Sequence, residues 1–112
     1  MRKVFIGSSN IITSLGWNTS ENLESVLSGR GGIKISRDRQ LSDSDFPASL
    51  IDSAALNDRF AELAPTGPGS YTRFEKLVLL SLQDTLTLSG IQPDDPETVF
   101  ILCSTKGNVE LL

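Results

Sequence analysis

The segment from Thr72 to about Leu88 constrains the fold more than any other. It contains no Pro or Gly, and Phe74, Leu77, Val78, Ser81, Leu82, Thr85 and Leu86 recur at i, i+3, i+4, i+7 and i+8. That spacing predicts one long helix with a single inward stripe, ended by Gly90 as a left-handed cap. Ser81 and Thr85 are small residues in the middle of the stripe, which suits close packing on a sheet. Two short β-branched and aromatic runs stand ready to form that sheet. Lys3 to Ile6 is closed by Gly7, and Thr98 to Cys103 follows a loop forced by Pro93 and Pro96. Strands separated by helical crossovers imply an α/β fold with a mostly parallel sheet packed with helices. The expected nucleus is therefore a parallel pair, Lys3 to Ile6 beside Val99 to Leu102, with the long helix across it. Phe74, Leu77, Val78, Leu82 and Leu86 should then be mostly buried.

The remaining elements are shorter. Leu15-Gly16 reads as a turn. Asn18 and Glu21 make a capping box for a helix to about Ser28, with Leu23, Val26 and Leu27 inward and Gly29, Gly31 and Gly32 stopping it. Ile33-Lys34-Ile35 alternates like a strand. Ser36 to Pro47 is polar and reads as a surface loop, and Ala48 to Ile51 as another short strand. Asp52 or Ser53 caps a helix through about Leu63 with Leu56, Phe60 and Leu63 inward, followed by the loop Ala64 to Ser70. Val109 to Leu112 looks like the first turn of a helix, from which a truncated domain is expected.

Histidine is absent from the 112 residues. Ser–His–Asp and Cys–His mechanisms therefore lack their usual base. A single cysteine, Cys103, excludes an internal disulfide and a Cys-based zinc site. The net charge is −4, and the Lys and Arg residues form no stripe. Neither nucleic acid nor an anionic membrane surface is an expected partner. No run approaches the ~20 apolar residues of a membrane span. Val4-Phe5-Ile6 is too short for the apolar region of a signal peptide, so a cytoplasmic location is expected.

Each candidate site has a plainer reading that is preferred. Cys103 ends an apolar strand near Lys106 but has no imidazole to activate it, so a structural, partly buried thiol is expected. Thr105-Lys106-Gly107-Asn108 before a nascent helix could hold an anion, but it lacks the length and glycines of a P-loop. Gly67-Pro68-Gly69 with Thr72 and Arg73 loses donors to its prolines and reads as a linker. Asp43, Asp45, Asp94 and Asp95 have no calcium-loop spacing and read as solvated. Trp17 is expected to cover the first helix rather than to anchor a partner. No residue is assigned to catalysis, a cofactor or a metal.

Three segments together resemble the beginning of a β-ketoacyl-acyl carrier protein synthase, a condensing enzyme of the thiolase fold. The run from Val4 through Gly7-Ser8-Ser9-Asn10 to Leu15-Gly16 is similar to the family's opening strand and Thr-Gly-x-Gly loop. Glu21 to Ile33, including Gly29-Arg30-Gly31-Gly32-Ile33, is similar to its first helix and Gly-x-Ser-Gly-Ile. Arg73 to Gly90 with Val99 to Gly107 is similar to its long helix, strand and Gly-Ser-Gly turn. Ser8 and Asn10 stand where the family has glycines, as do Thr105 and Asn108. The resemblance implies residues 1–112 as the amino-terminal, incomplete part of a synthase domain, a partial thiolase-like layer. It implies an acyltransferase of fatty-acid or polyketide-type biosynthesis that elongates acyl chains by decarboxylative condensation. The family's nucleophilic cysteine and two histidines lie downstream of every segment matched here, so this chain alone should be inactive. The implied partners are acyl carrier protein and a second copy of the intact enzyme, and the isolated chain is expected to self-associate. A different class of reading is a non-catalytic α/β interaction domain, or a synthase-like partner subunit.

Overall fold

The computed structural model describes residues 2–63 and 69–111. Its elements in order are α1 (Thr19–Leu27), β1 (Lys34–Ser36), β2 (Phe46–Ala48), α2 (Ser53–Glu62) and α3 (Arg73–Ser89), then a single 3₁₀ turn, Val109–Leu111. The described residues thus form a small α/β arrangement of three helices and a two-stranded antiparallel ribbon.

The long helix forms where its periodicity places it. Thr72 and Glu75 close a reciprocal capping box, the Thr72 N–H donating to Glu75 Oε2 at 2.8 Å and the Glu75 N–H to Thr72 Oγ1 at 3.3 Å. Gly90 ends the helix at φ 69°, a left-handed backbone that glycine adopts without a Cβ penalty. Its stripe faces inward but is only half-buried from Phe74 to Leu86, whereas Gln83, Asp84, Thr87 and Leu88 are exposed. The expected burial of Phe74, Leu77, Val78, Leu82 and Leu86 is reached in part.

The reason is that the parallel pair does not form. Residues 3–6 and 99–102 belong to no strand. Val4, Phe5 and Ile6 are 94, 81 and 90% exposed, and Val99 and Ile101 about as bare at 80 and 78%. Parallel strands persist where both faces are covered, and here the outward face has no cover. The sheet that does form is elsewhere. β1 pairs with β2 in the register Lys34↔Ala48, Ile35↔Pro47, Ser36↔Phe46. The second strand thus starts before the expected Ala48 and takes in Pro47. A two-stranded ribbon has only edge strands, where a proline's missing N–H is tolerated.

α1 is turned relative to expectation. Its buried residues are Asn22 and Ser25, while Leu23, Val26 and Leu27 lie in solvent. The cause is the preceding loop, whose inward carbonyls need donors. The Asn22 amide Nδ2 reaches the carbonyls of Ile11, Gly16 and Asn18 at 2.9–3.0 Å, its Oδ1 accepts from the Thr13 hydroxyl, and Ser25 Oγ donates to the Leu15 carbonyl at 3.0 Å. Gly16 is required here, because a Cβ would come within 2.9 Å of the Asn22 nitrogen. The cap is also shifted. Asn18 accepts from the Glu21 N–H, but the Glu21 carboxylate reaches back to the N–H of Trp17, at 2.7 Å.

The fully buried apolar core among the described residues is Leu56 and Phe60, both on α2 facing α3; Leu63 is half-buried. Asp52 caps α2 through the Ala55 N–H. Phe60 meets Tyr71 edge-on with ring centroids 5.0 Å apart, and the Arg73 guanidinium donates to Ser53 Oγ and the Ile51 carbonyl. This core is small for the chain. A folded protein of 12.1 kDa is expected to expose about 6000 Å², and this one exposes 9111 Å². Its radius of gyration is 16.7 Å, against about 13 Å for a compact domain of this length.

Candidate functional site

The most organised surface is the small-residue stretch of α3. Ser81 and Thr85 let two other segments approach the helix closely. Residues 7–10 run against it in the opposite sense. A Cβ on Gly7 would lie 3.5 Å from the Ser89 Cβ. Ser8 Oγ donates to the Thr85 carbonyl at 2.8 Å, and Asn10 Nδ2 donates to Ser81 Oγ at 3.2 Å. The segment 100–103 borders the same stretch, where Phe100, Leu102 and Cys103 line a 310 Å³ groove with Val78, Ser81, Leu82 and Thr85. Ser8 and Asn10, which break the glycine pattern of the opening loop in the resemblance, therefore fasten the amino-terminal loop to α3.

Cys103 is exposed. The partly buried thiol expected from the sequence is corrected, because the strand expected to carry it does not form and the segment before it is exposed. A thiol is activated by a neighbouring base or positive potential, and the groove around Cys103 is lined by apolar and hydroxyl side chains.

The other candidates fall into place as local structure. In the turn at 104–108, Ser104 Oγ accepts from the N–H of Lys106 at 3.4 Å and of Gly107 at 2.8 Å, so those donors already serve the turn. Gly107 sits at φ 61°. Gly67 and Pro68 of the glycine–proline loop lie outside the described residues. Thr72 and Arg73 serve α3 and its join to α2. Asp45 pairs with Arg39 at 2.6 Å and Arg37 at 3.4 Å, closing the loop between β1 and β2. Asp95 accepts from the Glu97 N–H at 2.8 Å, and Asp43 and Asp94 are exposed. No group of three or more His, Cys, Asp or Glu among the described residues is placed to hold a metal ion. Trp17 faces α2 and α3 instead of covering α1. The Arg59 guanidinium stands 4.8 Å from its ring centroid, and Leu63 and Leu80 share its 270 Å³ recess.

From sequence, Gly31 and Gly32 belong with Gly29 to a helix stop and Lys34 is the middle of a strand. In the structure Gly31, Gly32 and Lys34 line one cavity of 520 Å³ together with Arg30. Their grouping depends on the turn that folds the ribbon back beneath α1, which spacing alone does not show. Among the described residues no helix is long and apolar enough to cross a membrane. Comparison with protein-family models, with curated proteins and with solved structures finds no match.

Proposed function

We propose that the chain is the amino-terminal part of a 3-oxoacyl-[acyl-carrier-protein] synthase, an acyltransferase that elongates acyl chains by decarboxylative condensation. By itself it would be inactive. The observation that carries this reading is the convergence of residues 7–10 and 100–103 on the same Ser81–Thr85 stretch of α3. Those are the opening-loop, following-strand and long-helix segments of the resemblance, brought together without a ladder between them. The bare apolar side chains at 4–6 and 99–102 support the same reading, since central strands of a larger sheet carry apolar residues on both faces. In the intact protein these segments become neighbours in a mostly parallel, thiolase-like layer. Acyl carrier protein and a second enzyme subunit are then the partners of the whole protein, in the cytoplasm.

The large exposed area also favours a second reading, a non-catalytic interaction domain or synthase-like subunit whose partner covers the same residues. The complete coding sequence, and an assay of its product with acyl- and malonyl-carrier protein, separates the two. A cysteine and two histidines beyond Leu112, with condensation by the whole product and none by residues 1–112, is the expected result. A reading frame closed at codon 112, or a longer product that lacks those residues and the activity, would overturn the enzyme reading.

A further inference from the structure

The cavity between the end of α1 and the ribbon has a lining of one charge sign. Arg30 and Lys34 border it and no carboxylate does, in a chain of net charge −4. Arg30 donates from Nε to Ser28 Oγ at 3.1 Å, which leaves both terminal guanidinium nitrogens for another acceptor. The N–H groups of Gly31 and Gly32 lie between the two cations in the chain and donate to nothing among the described residues. Ser36 Oγ, also in the lining, accepts from the Asp38 N–H and keeps its own proton to donate.

The end of α1 would ordinarily disfavour an anion. Here its carbonyls at Glu24, Ser25 and Val26 are capped by the N–H groups of Ser28, Arg30 and Gly29. Two full positive charges outweigh the partial negative charge that is left. Gly32 is held to this shape, because a Cβ there would come within 2.5 Å of Ser14 Oγ and 3.3 Å of the Leu15 side chain. Leu15, Ala48 and Leu50 add an apolar part to the lining. At 520 Å³ the space is far larger than a phosphate group and lies in the range of small-molecule sites.

We propose that this cavity binds a small organic phosphomonoester. Arg30, Lys34 and the Gly31 and Gly32 N–H groups hold the phosphate, and Leu15 and Leu50 pack against the organic part. Charge-assisted bonds of this kind are the strong ones, and successive backbone N–H groups make a concave anion seat. The site is independent of the condensing-enzyme reading and would stand if that reading failed.

The test is titration of the chain with butyl phosphate and with inorganic phosphate, followed by calorimetry and by the amide NMR shifts of Gly31 and Gly32. Saturable binding of butyl phosphate, tighter than inorganic phosphate, with shifts centred on those two amides, is expected. Arg30→Gln and Lys34→Gln should each weaken it about tenfold or more, with unchanged circular dichroism, and Lys106→Gln should leave it unaltered. No saturable binding, equal affinity for the two ligands, or retention of full affinity in the Arg30→Gln, Lys34→Gln double variant would overturn the proposal.

Discussion

Leu56→Ala and Leu23→Ala make a paired test of where the core lies. Leu56 is 2% exposed and Leu23 is 56% exposed, although both are leucines on the sequence-predicted inward stripe of their helices. Truncating a buried leucine costs about 2–5 kcal/mol, set by lost transfer energy and the cavity left behind. Truncating an exposed one changes stability by about 0.5 kcal/mol or less. The background against which the first loss falls is thin. An unfolded chain of 12.1 kDa exposes about 17,500 Å², so with 9111 Å² still exposed the fold buries only about half of it. A self-sufficient domain of this size buries about two thirds. Total stability should lie at or below the low end of about 5–15 kcal/mol, and Leu56→Ala should be largely unfolded at 25 °C. The assay is urea titration followed by far-ultraviolet circular dichroism, at low concentration so that association does not add stability. A Leu56→Ala variant within 0.5 kcal/mol of the parent, beside a Leu23→Ala variant losing about 2 kcal/mol or more, would refute the placement of α1 with its apolar face outward.

Three further outcomes follow from the same geometry. Gly16→Ala places a Cβ against the backbone of Glu21 and Asn22 and should cost about 1–3 kcal/mol, read as a lower urea midpoint; an unchanged midpoint would show that the loop against α1 gives way freely. Incubation with acyl- and malonyl-carrier protein should yield no condensation product, and mass spectrometry no turnover through an adduct on Cys103, because no imidazole is present to act as base. Light scattering over a concentration series should show self-association through the bare 99–103 segment or the terminal 109–111 segment, reduced in a chain ending at Thr105, and a monomer at every concentration would contradict it.

The helices were legible because their signals are local. The Thr72–Leu88 periodicity, the Gly90 stop, the Asp52 cap and the Leu56–Phe60 pair each depend on residues within one or two turns, and each reappears in the structure. Strand pairing was not legible to the same degree. The apolar runs at 3–6 and 99–102 show that those residues suit a sheet, but pairing needs a distant neighbour and a cover on both faces. The orientation of α1 does not follow from the apolar spacing of Leu23, Val26 and Leu27, because that spacing carries no information on the carbonyls of the loop at 11–18. Those carbonyls draw Asn22 and Ser25 inward. The capping signal at Asn18 and Glu21 was right about where the helix starts and silent about which face it buries. Among the candidate sites, Cys103 and the turn after it were visible as residues, but their exposure and internal hydrogen bonds were not. The cavity at Arg30 and Lys34 needed the fold of the ribbon to be seen at all.

The central proposal is that residues 3–6 and 99–102, which form no strand in this chain, become strands of a larger sheet in the complete synthase. Amide hydrogen exchange measures this most directly, on residues 1–112 at monomeric concentration and on the product of the complete coding sequence. The amides of Val4, Phe5, Ile6 and of residues 99–102 should exchange at nearly unstructured rates in the shorter chain and become strongly protected in the longer one, while those of α2 and α3 are protected in both. Equal protection of the two apolar segments in both proteins, or strong protection already in the monomeric short chain, would contradict the account.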